Sequence, residues 1–199
     1  MNKTKRSYNN QKRAIKAVDT KERIMRAFSE LWMKNPLNEI TLELIAEKAN
    51  VTTRTILRKF GSKENLIEEC LLSNSSAILV ERENKSTGDI DESLRALLSS
   101  YETMGDAAIR TINLESESAV ARKIGEAGRK VHRAWCMRVF AEHLPTKGSL
   151  YYERDLTAFI VGTEVYLWKL MRKDLKMSKK ETFEVFKRMI SGLIITNKV

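Results

Sequence analysis

Proline and glycine are scarce in this 199-residue chain, at two and eight. An all-β fold, which needs many turns, is disfavoured, and collagen-like or low-complexity classes are excluded. Cysteine is equally sparse. Cys70 and Cys136 stand far apart, with no CxxC pair and no Cys/His cluster. A disulfide framework or zinc site is therefore not expected, and a reducing cytoplasm is the expected location. Both cysteines lie in apolar-periodic segments and read as buried packing residues. His132 and His143 have neither a Cys nor a tight carboxylate cluster beside them, so no metal is expected. No charge-free run reaches membrane-spanning length, and residues 1–16 lack the apolar core of a signal peptide. A soluble protein without a membrane partner is expected. There is no nucleophile–base pattern and no glycine-rich phosphate loop, so no catalytic residues, cofactor or enzymatic role are assigned.

What is present is helical. The chain is 42% hydrophobic and 31% charged, with a net charge of +10, enough for one core or a core plus a small satellite. The first 70 residues carry 15 Lys/Arg against 9 Asp/Glu; the remaining 129 carry 21 against 17. Lys3, Lys5, Arg6, Lys12, Arg13 and Lys16 precede the first acid, Asp19. Residues 1–18 therefore read as a mobile basic arm, or equally as a plain solvated tail.

Asp19 and Glu22 are spaced as a capping pair, so the first helix is expected to begin near Asp19. Ile24, Ala27, Phe28, Leu31 and Trp32 then form one apolar stripe, and Pro36 disfavours helix just before it. Thr41 caps a short helix with Ile45, Ala46 and Ala49 inside. Asn50 tolerates a left-handed turn. Thr52 caps a third helix, Thr53 to Lys59, with Ile56 and Phe60 inside, and Gly61 breaks it. Ser62 caps a fourth helix expected to reach towards Arg82. Lys85 to Gly88 reads as a linker. Asp89 and Glu92 open a further helix, with breaks expected near Gly105 and Asn113 to Ser116. A longer helix is expected from about Ser118 to His143. The last two, about 151–174 and 178–196, are the most apolar; the first has two apolar faces, and Ser178 with Glu181 forms a capping box at the second.

The stretch Thr41 to Phe60, TLELIAEKANVTTRTILRKF, makes a helix-turn-helix pattern. Ala46 permits a close crossing, Asn50 the turn, and Ile45, Val51 and Ile56 a small shared core. Thr52, Thr53, Arg54, Thr55, Arg58 and Lys59 are left facing outward, with no acid among them. Such a helix suits the DNA major groove, with Arg54 fit for bidentate contact to guanine.

The stretch resembles the TetR family of bacterial transcriptional regulators, over Arg23-Ile24, Ala27-Phe28, Leu31, Thr41, Ile45-Ala46, Ala49, Val51, Thr55, Phe60, Ser62-Lys63-Glu64 and Leu66. The pattern departs from the family at Asn50 and Arg54, where glycine is usual, at Leu57, where tyrosine is usual, and at Lys59, where histidine is usual. The tyrosine's phosphate contact is thus missing, and Arg58 and Lys59 stand as substitutes.

The resemblance implies an all-α protein. Its expected parts are the arm (1–18), a three-helix DNA-binding domain (19–70) and a helical ligand-binding and dimerisation domain (71–199). It further implies a homodimer joined through the last two helices, a double-stranded palindromic operator and a small-molecule effector. The mechanism implied is repression relieved through the fourth helix. An activator, or an interaction module on the same scaffold, is the alternative. The expected DNA contacts are Thr41, Thr52, Thr53, Arg54, Thr55, Arg58, Lys59 and Lys63, the last as a phosphate anchor. Tyr101, Met104, Trp135, Phe140, Tyr166 and Trp168 are candidates for lining an effector pocket, although helical spacing also suits each to core packing.

Overall fold

The computed structural model describes residues 3–70, 73 and 89–196, which form helices and turns with no strand among them. They divide into two compact units, Met1–Leu72 and Ser73–Val199.

The first unit opens with α1, Lys3–Trp32. The helix expected to start near Asp19 after a mobile arm instead runs through residues 3–18. Its cause is visible in the sequence: Pro36 is the first proline and Gly61 the first glycine, while Lys, Arg, Gln and Ala upstream of Asp19 favour helix. Asp19 is an interior position, 3.9 Å from the Arg23 guanidinium one turn on. Ile24, Ala27, Phe28 and Trp32 form the buried stripe. After Pro36 a 3-10 turn, Leu37–Glu39, lays Leu37 and Ile40 into the same core. Two short helices follow, α2 (Leu42–Ala49) and α3 (Thr53–Phe60), then α4, described over 63–70. The Asn65 N–H donates to Ser62 Oγ at 3.1 Å, the expected cap. Phe28, Ile45, Ile56 and Leu66 are each fully buried where the four helices meet; each such side chain contributes roughly 1.5–3 kcal/mol. Lys48 pairs with Glu30 at 2.8 Å, tying α2 to α1, and Lys21 pairs with Glu69 across α1 and α4. Cys70 is buried against α1, and burial pushes its thiol up to about 12, in keeping with a packing role. The fourth helix beyond Cys70, Ser73 apart, and the linker Lys85 to Gly88 lie outside the described residues.

The second unit contains α5 (Ile90–Ile112), α6 (Ala119–Val139), α7 (Tyr152–Gly162), α8 (Val165–Lys169) and α9 (Lys179–Thr196). Asp89 caps α5 by accepting from the Asp91 N–H at 2.7 Å. Gly105, expected as a break, lies inside α5. A Cβ there would sit 2.4 Å from Cζ3 of Trp168, so the residue is small to admit an indole, not to end a helix. α6 begins about where expected, capped by Ser118, but the α-helix stops at Val139 and a 3-10 turn, Ala141–His143, completes the segment. The helix expected over 151–174 is interrupted: α7 ends at Gly162, buried Thr163 donates to the Phe159 carbonyl at 2.6 Å, and Glu164 caps α8 through the Val165 N–H at 3.0 Å. A π turn, Leu170–Asp174, follows. At α9 the capping box is reciprocal: the Ser178 N–H donates to Glu181 at 2.8 Å, and the Glu181 N–H to Ser178 Oγ at 3.2 Å.

The core of this unit is aromatic. Trp135 meets Phe140 edge-on at 5.8 Å, and Phe140 stacks on Phe159 at 4.2 Å; all three are fully buried.

Candidate nucleic-acid interface

Local hydrogen bonding shapes the α2–turn–α3 element. Thr41 is extended and its hydroxyl accepts the Leu44 N–H at 3.2 Å. At the other end Asn50 takes φ 50° and ψ 55°, left-handed as its type allows. Two residues on, Thr52 repeats the cap, accepting the Thr55 N–H at 3.2 Å. Gly61 takes φ 81°, and the Asn65 side-chain amide donates to the Phe60 carbonyl at 3.1 Å. Both ends of α3 are thus fixed by neighbouring side chains, and an eight-residue helix that would be marginal alone is held in one orientation.

The inner face of α3 consists of Ile56 and Phe60. Arg54, Leu57 and Arg58 are exposed, and Thr53, Thr55 and Lys59 half-buried. No carboxylate lies on the helix, and among the described residues Arg54 and Arg58 make no ion pair. Two details differ from the sequence expectation. The Thr55 hydroxyl lies 3.0 Å from that of Thr52, so this pair closes the helix start and does not simply face outward. Leu57, expected only as a missing tyrosine, is 42% exposed beside Arg58 and offers the outer face its one apolar surface.

Thr41 is exposed and Lys63 half-buried, each at the start of its helix. Glu43 is held below the usual carboxylate range by hydrogen bonding from its own backbone N–H, then from the Thr41 hydroxyl, with the Lys63 charge adding to the effect. The two expected anchors, from α2 and α4, thus share an electrostatic neighbourhood.

The structure places the six residues proposed for a pocket in two kinds of surroundings. Tyr101, Trp135, Phe140 and Trp168 are buried core; Tyr101 donates to the Thr163 carbonyl at 2.9 Å. Met104 is half-buried and Tyr166 is 46% exposed. None of the six lines the cleft of about 410 Å³ between α5 and α9.

Residues 24–70 match the family of bacterial regulatory proteins described as the tetR family. Over 57 residues the chain is 42% identical to an uncharacterized HTH-type transcriptional regulator, YvkB, of Bacillus subtilis (strain 168). That stretch spans 29% of this chain and 30% of the relative. Among solved structures, a transcriptional regulator from Rhodococcus sp. Rha1 superposes with a TM-score of 0.69 at 14% identity, covering 88% of this chain and 96% of the other. A protein from Pseudomonas aeruginosa PAO1 gives 0.68 at 12%, covering 88% and 90%. At such identities the likeness is one of fold.

Proposed function

We propose that this chain, whose residues 24–70 match the bacterial regulatory proteins of the tetR family, is a ligand-responsive transcriptional repressor that binds a palindromic operator as a homodimer. The observation that carries DNA binding is the outer face of α3. Arg54 and Arg58 stand exposed on it, on a helix that carries no carboxylate of its own and is fixed at both ends. Arg54 and Arg58 reach base edges or phosphates, Lys59 and Lys63 phosphates, and Thr41, Thr52, Thr53 and Thr55 the groove margin.

Dimerisation has support in the second unit. α7 and α9 pack together, with Gly162 facing Ile190 and Leu193. Val161 on α7 and Met189 on α9 remain 59% and 38% exposed. A second copy laid on this pair would cover them, and two recognition helices related by a twofold axis would read inverted half-sites. Repression follows when the occupied operator overlaps a promoter. An effector releases it only by binding the DNA-free state more tightly.

Selection of bound sites from random duplex DNA tests this reading. The expected result is an enriched inverted repeat; recovery of no sequence preference, or of an unrepeated site, counts against it. Lys63→Ala should weaken all duplexes alike and reduce the slope of log affinity against log salt by about one. An unchanged slope removes the phosphate role assigned to Lys63.

A further inference from the structure

The cleft of about 410 Å³ between α5 and the first turns of α9 has the makings of a ligand site. Thr182 lines it, is 1% exposed, and its hydroxyl makes no hydrogen bond within the protein. A buried hydroxyl in that condition is costly, and a polar ligand atom would relieve it. Arg95 lines the opposite helix, its guanidinium carbon 3.8 Å from the centre of the Phe183 ring. The ring holds the planar fork in place, and among the described residues Arg95 makes no ion pair.

Charge in the cleft is unbalanced in one direction. Glu102 supplies its carboxylate, but both oxygens are engaged. One accepts from Trp168 Nε1 at 2.8 Å and Arg172 Nε at 2.5 Å, the other from Arg172 Nη2 at 3.0 Å. Lys179 stands 3.8 Å from the same carboxylate, at the outer limit of pairing, and its side chain is 73% exposed. With Glu102 matched by Arg172, Arg95 and Lys179 remain as cations facing the cleft. Leu98 and Phe183 supply apolar wall, and Ser99 a hydroxyl.

We propose that this cleft binds a small amphipathic organic acid. Its carboxylate is held by Arg95 and Lys179, its apolar body lies against Phe183 and Leu98, and a polar atom completes the Thr182 hydroxyl. A guanidinium fork matches a carboxylate in shape as well as charge, and the volume suits a small ligand. This assigns a site and a chemical class to the effector proposed above. It rests on that reading for its regulatory purpose, though not for binding itself.

The test is a calorimetric titration of the full chain with benzoate, with benzamide as a neutral isostere and inorganic phosphate as an anion without an apolar body. Benzoate should saturate one site at least about tenfold more tightly than either control, as expected of a charge-assisted contact. Arg95→Gln or Lys179→Gln should remove that advantage. Thr182→Val should weaken benzoate about fivefold while raising the melting temperature by roughly 2–4 °C, because the unpartnered hydroxyl is gone. Absence of saturable binding, equal binding of either control, or variants that bind benzoate like the parent overturns the site. If benzoate binds as described and leaves DNA affinity unchanged, the site stands and its regulatory purpose falls. If the protein binds no DNA at any salt, the function proposed above fails while the titration still decides the cleft.

Discussion

The outer face of α3 treats positive charge differently from most of the carboxyl unit's surface. In the carboxyl unit, cation after cation is matched: Arg129 with Glu115 and Arg133 with Glu153, each at 2.8 Å, Lys173 with Asp106 at 2.6 Å, and Lys187 with Asp91. The amino unit does the same on the sides of its bundle, through Lys48 and Glu30 and through Lys21 and Glu69. On the outer face of α3 the pattern stops, and Arg54 and Arg58 stand without a carboxylate. Surface pairs contribute little stability, at most about 1 kcal/mol each. Their distribution is informative because unmatched charge on a rigid short helix is poised for an external polyanion.

The contrast can be broken experimentally, and the largest effect should come from α3 itself. Replacing Arg54 and Arg58 together by Ala should lower duplex DNA affinity by about 100-fold or more in fluorescence anisotropy. Arg129→Ala and Arg133→Ala, which remove matched cations, should stay within about twofold of the parent. Equal losses from the two pairs would erase the distinction. Next in size is the support beneath the face. Ile56 is fully buried under α3, and Ile56→Ala should cost about 2–5 kcal/mol in urea unfolding; a cost below about 1 kcal/mol would mean that α3 is not anchored by this core.

An acid titration sharpens the other side of the comparison. The Arg172 guanidinium holds Glu102 down at about 2, from an ordinary value of 4.5, with the Trp168 N–H assisting. A carboxylate depressed in the folded state adds stability that is fully present above its unfolded value. That stability is lost as pH falls through the folded one. Folding stability should therefore decline between pH 4.5 and about 2, and Arg172→Met should make that decline shallower. An identical acid profile in the variant would remove Glu102 from the account. The smallest effect concerns the turn. At φ 50°, Asn50→Gly should stabilise by less than about 1 kcal/mol, since glycine adopts this backbone without strain. A marked loss of stability there would show that the Asn side chain, and not the backbone, holds the turn.

Much of the α2–turn–α3 element was legible in the sequence because its determinants are local. Thr41, Thr52 and Ser62 cap the helices that follow them, and Asn50 makes the turn, each acting within a few residues of its own position. The same holds for Ser178 and Glu181 at α9. What the sequence hid depends on distant partners or on the absence of a stop signal. Asp19 looks like a cap, yet nothing upstream halts the helix, and propensity carries it back to Lys3. Gly105 looks like a break, yet Trp168, far along the chain, explains it. The apolar stripe over 151–174 does not register the pause at Thr163, where a buried hydroxyl and the Glu164 cap divide one periodic segment into two helices. Arg95 and Thr182 belong to different helices and reveal a cleft only once α5 and α9 are laid side by side.

The meeting of Gly105 and Trp168 has a mechanical consequence. An indole occupying the space of a missing methyl works as a dowel between α5 and α8, so neither can slide along the other without unseating it. Rearrangement in this half of the protein must therefore treat those two helices as a single plank.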